Sequence, residues 1–189
     1  MKSLAHTSFP DQADRICAHY NDKDDALLLS MLGQEYVIRH EGIVLHGKQA
    51  PEVHAAVILD YLLSSGTTLD LMPWRTIGAI ASRPSPEFRK RVELPLVNYA
   101  AEIITRANTL LPMVNAKTVP SLIGSDMAIT VQALPKVYLH LELSQETQDF
   151  PPEAWVLFSH NADAFLPIPR LQSLAEVFKD RLLSLLRIY

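Results

Sequence analysis

Cysteine and glycine are scarce in this chain. Its 189 residues include one cysteine, Cys17, and six glycines, none of them after Gly124. A single thiol forms no internal disulfide and no Cys-rich zinc or iron–sulfur site, which suits a reducing compartment. The glycine shortage excludes the common phosphate cradles: neither G-x-G-x-x-G nor G-x-x-x-x-G-K is present to bring backbone N–H groups up to a phosphate. No G-x-S-x-G elbow occurs either. Positive charge is also limited, with 17 Lys and Arg against 21 Asp and Glu and a formal charge of −4, so nucleic acid is not an expected partner. The most apolar run, Ala55 to Leu63, is broken by Asp60 and is far short of the roughly 20 residues that span a bilayer. No apolar stretch follows Lys2, as a secretory signal would require. These absences predict a soluble cytoplasmic protein that spans no membrane.

What is present is enough apolar sequence for a core. Apolar residues make up 48% of the chain and charged ones 20%. A chain of this length removes about 70% of its unfolded surface from water on folding and needs no metal or disulfide to stand alone. The expectation is one α+β domain over residues 1–189: an antiparallel sheet of about five strands, made from an N-terminal hairpin and a C-terminal meander, packed by three or four helices. No cofactor is expected.

The thirteen prolines punctuate this plan. Pro10 suits the first turn of a helix running to about Asn21, capped by Ser8, with Ala13, Ile16, Cys17 and Tyr20 on its inner face. Cys17 therefore reads as a small core residue. Glu35–His40 and Gly42–His46 read as a hairpin about Glu41-Gly42, with its register open, because a slip of one residue would reverse His40 and His46. Pro51 to Ser65 reads as a helix closed by Gly66, with Ala55, Ala56, Ile58, Leu59, Leu62 and Leu63 on one arc and His54 at its edge. Leu71–Ile77 is a short extended piece. Ser85 precedes a long helix from Pro86, kinked at Pro95 and stopped before Pro112, whose buried stripe is Phe88, Val92, Leu96, Ala100, Ile104, Ala107 and Leu111. Arg83, Arg89, Lys90 and Arg91 read as a solvated helix face.

The C-terminal third alternates with period 2. Val137, Leu139, Leu141 and Leu143 share one face of a strand. Pairing Leu143 with Ala154 across the loop 144–152 sets Leu141 opposite Val156, Leu139 opposite Phe158 and Val137 opposite His160, so that the apolar faces coincide. An odd-length connection at Ala133-Leu134-Pro135 brings Met127, Ile129 and Val131 onto the same face, whereas a two-residue loop would not. A terminal helix from about Pro169 to Ile188 carries Leu171, Leu174, Phe178, Leu182 and Leu185 inward.

The other face of the meander carries Tyr138, His140, Glu142, Trp155 and Leu157. A solvated face rarely needs a tryptophan and a leucine, so this one is either covered or presented to a ligand or partner. Tyr138, His140, Glu142 and Trp155 are the candidate ligand-binding residues. His140 and Glu142 lie two apart on one strand, the minimum for a general acid/base pair. With no third ligand in register, no metal site is expected. Asp70 is the expected ion-pair partner of Arg75, and Asp149 the residue that closes the turn before Phe150. Three readings follow: a non-catalytic module binding a small molecule or a partner protein, a hydrolase or transferase using His140 and Glu142, or a purely structural dimer subunit. Oligomeric state is left open.

The stretch Ala133-Leu134-Pro135-Lys136-Val137, then Asp149-Phe150-Pro151-Pro152-Glu153-Ala154-Trp155-Val156-Leu157-Phe158, then Phe165-Leu166-Pro167 and a Leu-rich helix, resembles the closing half of domain-of-unknown-function family 3786. Leu32-Gly33-Gln34-Glu35-Tyr36, and Leu59 to Leu63 before Trp74, are similar to its front half. The resemblance covers about Leu27 to Leu186. It implies an uncharacterised bacterial or archaeal domain of anaerobes, in some members joined to a Cys-rich iron–sulfur segment like that of corrinoid proteins, and hence an accessory role in one-carbon metabolism. This chain has no such segment. It also has Ser159 and His160 where an acidic residue tends to follow Leu-Phe, and Glu146-Thr147-Gln148 in place of the Gly-Asp that often precedes Phe-Pro.

Overall fold

The computed structural model of the chain describes residues 8–188. The N-terminal strands β1 (His19–Asn21), β2 (Ala26–Met31), β3 (Gln34–Arg39), β4 (Gly42–Leu45) and β5 (Lys48–Gln49) follow one another in an antiparallel meander. β2 and β3 are joined by Leu32 and Gly33, both at positive φ (52° and 72°), the two-residue turn whose twist matches a hairpin. β3 and β4 are joined by His40 and Glu41, with Arg39 opposite Gly42, which resolves the open register. His40 and His46 both fall in turns rather than on a sheet face.

A second antiparallel sheet is built from β6 (Arg75–Thr76), β7 (Ala116–Val119), β8 (Met127–Leu134), β9 (Val137–Ser144) and β10 (Glu153–Phe158), in the order β6-β10-β9-β8-β7. The α+β class stands, but the hairpin and the C-terminal meander belong to two five-stranded sheets rather than one. The additional strands are short edges and β2, whose continuous apolar run has no period-2 signature. The β9–β10 pairing is the expected one, with Leu143 on Ala154, Leu141 on Val156 and Leu139 on Phe158. It stops at Phe158, so His160 lies in a turn beyond the ladder. Met127, Ile129 and Val131 pair with Leu143, Leu141 and Leu139 as expected, by a different device. The loop is only Pro135-Lys136, and a bulge at Ala133 shifts the pairing from Gln132–Tyr138 to Leu134–Val137, supplying the extra residue.

Helix α1 (Phe9–Ile16) is shorter than expected. Cys17 adopts a left-handed conformation (φ 54°) that caps the helix, and its side chain is exposed rather than in the core. Ser8 holds the N-cap position without a side-chain cap bond. Helix α2 (Glu52–Leu62) ends before Gly66, which does not cap it; a Cβ on Gly66 would stand 2.7 Å from the Phe165 ring. Its core face is Val57, Ile58, Tyr61 and Leu62, while Leu63 is exposed.

After α3 (Ile77–Ala81), the expected long helix is a chain of short pieces: α4 (Pro86–Phe88), a π-helical turn Arg89–Glu93, α5 (Leu94–Val97), α6 (Ala100–Thr105) and α7 (Ala107–Met113). Pro95 has no N–H to give the preceding turn, and the widened turn sits just before it. The break at 98–99 moves the buried stripe from Ala100 to Ile103 and Leu110, leaving Ile104 and Ala107 half-buried. Pro112 lies inside α7 rather than beyond it. Arg83, Arg89, Lys90 and Arg91 are all exposed. The terminal helix α8 (Ile168–Ile188) buries Leu171, Leu174, Phe178, Leu182 and Leu185 and packs on α2, α3, α5 and α7.

Buried residues of both sheets and the helices form one connected cluster. The sheets meet where the Leu32 N–H bonds the Ala133 carbonyl at 2.9 Å. Gly33 lies so close that a Cβ would stand 2.4 Å from the Met113 carbonyl oxygen. Gly33→Ala therefore combines a strained φ with a backbone clash and is expected to cost about 2–4 kcal/mol. Urea unfolding checks this, and a loss below about 0.5 kcal/mol, the scale of an inert surface change, contradicts it.

Candidate functional site

Alternation along β9 places Tyr138, His140 and Glu142 on the face away from the apolar core, and the β10 register puts Trp155 opposite Glu142 and Leu157 opposite His140. His140 and Glu142 meet: Nε2 lies 2.8 Å from Oε1, and each residue is only 1% exposed. The cover comes from two loops. Trp74, just before β6, stacks on the His140 ring with centroids 5.0 Å apart. The loop 120–126 closes over Glu142, with Ser121 Oγ and the Leu122 N–H donating at 2.7 Å each and Ser125 Oγ donating to Oε2. His140 Nδ1 faces Thr130 Oγ1 at 3.5 Å.

Burial pushes the Glu142 carboxyl up, but the bonds from Ser125, His140, Leu122 and Ser121 outweigh it and hold the group below its ordinary value of 4.5. The serines bond the carboxylate and not the histidine, so neither hydroxyl is paired with the imidazole. The pair staples the loop 120–126 to β9.

Tyr138 and Trp155 are not drawn into this pair. Tyr138 borders a shallow polar cleft of about 180 Å³ with Lys117, Thr130 and Gln132, and burial raises its phenol. Trp155 is half-buried, gives its Nε1–H to Glu153 at 3.1 Å and lies under the Arg89 guanidinium, 5.5 Å from the ring centroid. Glu93, in the π turn beside it, accepts the Val156 N–H at 3.1 Å; burial raises its carboxyl against the pull of that bond and of Arg89. Arg75 pairs with Asp163 at 3.4 Å and with the carbonyls of His160 and Ala79, correcting the expectation of Asp70. The turn at Phe150 is closed by Thr147, whose Oγ1 accepts the Phe150 N–H at 3.1 Å, in the role expected of Asp149. Among the described residues, no group of three or more His, Cys, Asp or Glu could hold a metal ion. No described helix is long and apolar enough to cross a membrane.

A larger opening lies elsewhere. A groove of about 740 Å³ runs between α2, the β3–β4 turn and the start of α8. Its α2 wall is Glu52, Ala55, Ala56, Leu59 and Asp60, the i, i+3, i+4, i+7, i+8 positions of one helix face. The facing wall includes His40, Glu41, Gly42, Ile43 and Ala50. Pro167 and Arg170 line its α8 side, and Arg170 Nε donates to Asp60 Oδ2 at 2.8 Å. The small side chains Ala55 and Ala56 give the groove depth. Sequence reasoning merged Ala55, Ala56 and Leu59 with the core arc; the signal was an apolar arc too wide for one packed face.

Glu142 also yields a pH signature. A carboxyl whose folded pKa is depressed contributes stability that is present above its unfolded value and is lost as pH falls through the folded one. Glu142→Gln is expected to cost about 1.5–3 kcal/mol at neutral pH, the worth of hydrogen bonds to a charged group. The gap between wild type and variant narrows below pH 4.5. Glu93, with its pKa raised, works in the opposite sense in both proteins and cancels from the difference. Denaturant titrations between neutral pH and acid check this; a gap that does not change with pH contradicts it.

The fold and both candidate sites lie within the part of the chain that family comparison covers. The profile of the family described as Domain of unknown function (DUF3786) matches residues 8–181, from the start of α1 through most of α8. Searches of curated proteins and of solved structures find no match. The chain belongs to the domain-of-unknown-function family DUF3786.

Proposed function

We propose that this domain binds a small molecule in the groove along α2 and performs no chemistry on it. The observation that carries the reading is the groove itself, open and mixed in character, with Arg170 held at its edge by Asp60. Its volume of about 740 Å³ falls in the range of ligand pockets, about 300–1,000 Å³. Asp60 takes the Nε of Arg170, and the two terminal guanidinium nitrogens have no partner among the described residues. Apolar Ile43, Ala55, Ala56 and Leu59 supply a surface that gains by losing water.

The acid/base alternative has less support. His140 and Glu142 are the closest His–carboxylate pair among the described residues, at 2.8 Å, yet they are sealed under Trp74 and the loop 120–126 with the carboxylate oxygens already occupied. A general acid or base must reach the proton it moves, directly or through one water.

A thermal-shift panel of small metabolites on wild type and Ala56→Phe tests the proposal. A ligand at about 100 times its Kd stabilises by about 2.7 kcal/mol, a rise of roughly 5–10 °C for a chain of this size. The expected result is such a rise in wild type and its loss in the filled-groove variant, whose own melting point stays within a few degrees. A panel with no hit on wild type, or a rise that persists in Ala56→Phe, overturns it.

A further inference from the structure

We infer that the outer face of the second sheet carries a site for a small oxyanion, held by Lys117, Thr130 and Tyr138. The cleft there shares no lining residue with the α2 groove, so the two sites stand or fall separately. The observed register places the residues. Lys117 on β7 pairs with Thr130 on β8, and Thr130 pairs with His140 on β9. Two residues along the same face, Gln132 pairs with Tyr138, and its backbone N–H bonds the Asn115 carbonyl at 3.0 Å. Same-face neighbours on paired strands have Cβ atoms about 4.5–5.5 Å apart, so the two rows lie side by side. A cleft of about 180 Å³ opens over them. That is below the about 300–1,000 Å³ of pockets for drug-sized ligands and suits a group of a few heavy atoms.

The hydrogen-bond inventory leaves donors for the cleft. Gln132 is fully engaged: its Oε1 accepts from Asn115 Nδ2 at 3.1 Å, and its Nε2 donates to the Pro135 carbonyl at 3.2 Å and to the Tyr138 oxygen. The Tyr138 oxygen thus receives a hydrogen, and its own hydrogen has no acceptor among the described residues. Lys117, the one charged residue in the lining, has no ion-pair or hydrogen-bond partner among the described residues. Thr130 points most directly to a ligand. It is 7% exposed, and its hydroxyl has one partner among the described residues, His140 Nδ1 at 3.5 Å, the outer limit of a hydrogen bond. Buried hydroxyls are normally well bonded, so this one has capacity left for a group in the cleft. Glu142, further along β9, has its oxygens taken by Ser121, Leu122, Ser125 and His140 and does not compete for these donors. An ammonium and two hydroxyls, with no carboxylate in the lining, match a negatively charged oxygen group.

NMR shifts on the full chain at neutral pH, with inorganic phosphate or acetate added at fixed ionic strength, test this. The expected result is saturable shifts at Lys117, Thr130 and Tyr138 with a Kd in about the millimolar range, from phosphate if the site takes a phosphate group and from acetate if it takes a carboxylate. Tyr138→Phe removes a hydroxyl and no charge, and should weaken binding about five- to tenfold; Lys117→Gln should weaken it by a similar factor. Lys90→Gln, which removes an exposed charge from the π turn, should leave it unchanged. The remaining resonances of each variant, unmoved from wild type, show that the fold persists. Shifts that rise without saturating, saturation that maps to other residues, or an affinity that Tyr138→Phe and Lys117→Gln do not alter, or that Lys90→Gln lowers as much, overturns the inference.

Discussion

The hydrogen bond from the Leu32 N–H to the Ala133 carbonyl, 2.9 Å long, joins two sheets that share no strand. It exists because Ala133 is a bulge: the residue is left out of the β8–β9 ladder, and its carbonyl is turned toward the first sheet. The same extra residue sets the parity of β8. Without it Met127, Ile129 and Val131 would face away from the core, since a slip of one residue reverses every side chain. The turn that follows is tied down as firmly. The Lys136 N–H bonds the Tyr61 hydroxyl at 3.1 Å, and its ammonium reaches the carbonyls of Arg15 and Thr67. Tyr61 in turn donates to the Ile16 carbonyl at 2.9 Å, so α1, α2 and the second sheet converge on one turn.

Fixing that parity also decides where the polar residues go. With the leucines of β9 in the core, His140 and Glu142 fall on the opposite face, and taking a carboxylate out of water costs several kcal/mol unless its hydrogen-bonding capacity is met. The chain meets it with two serine hydroxyls, one backbone N–H and the His140 ring, and Trp74 stacks over that ring to cover it. The most enzyme-like pair in the sequence is thereby used to hold a loop. The α2 groove has the reverse character: its alanines leave space, and Glu41 and Glu52 on its walls are exposed.

Much of the second sheet was legible because its pattern is strict. Period-2 leucines on β9, an apolar match on β10 and Pro135 at a turn leave few registers that bury one face, and the observed pairs are those. The inner stripe of α8 was legible for the same reason at helical period. The failures have equally specific causes. Cys17 and Leu32 adopt positive φ without being glycine, which local sequence does not announce. The segment from Pro86 to Met113 carries a continuous helical pattern, but a π turn and a break at 98–99 slip its phase so that Ile103 replaces Ile104 inside. β2 reads as an apolar run with no period because its outer face also carries apolar Ala26 and Leu28, although the fully buried face is Leu27, Leu29 and Met31. The His140–Glu142 contact follows from spacing, whereas its lid is formed by Trp74 and Ser121–Ser125, distant in sequence. The groove needs α2, a hairpin turn and α8 together, and no local window contains all three.

The central claim is a division: the His140–Glu142 pair is sealed and structural, and the open surface lies along α2. Diethyl pyrocarbonate labelling of the native chain, read residue by residue by mass spectrometry, tests that division directly. His19 and His46 are exposed and should label readily, whereas His140, 1% exposed and bonded through Nε2 to Glu142, should stay unlabelled until the chain unfolds. Labelling of His140 at a rate comparable to His19 and His46 in the folded protein would contradict the account and return the acid/base pair to the surface.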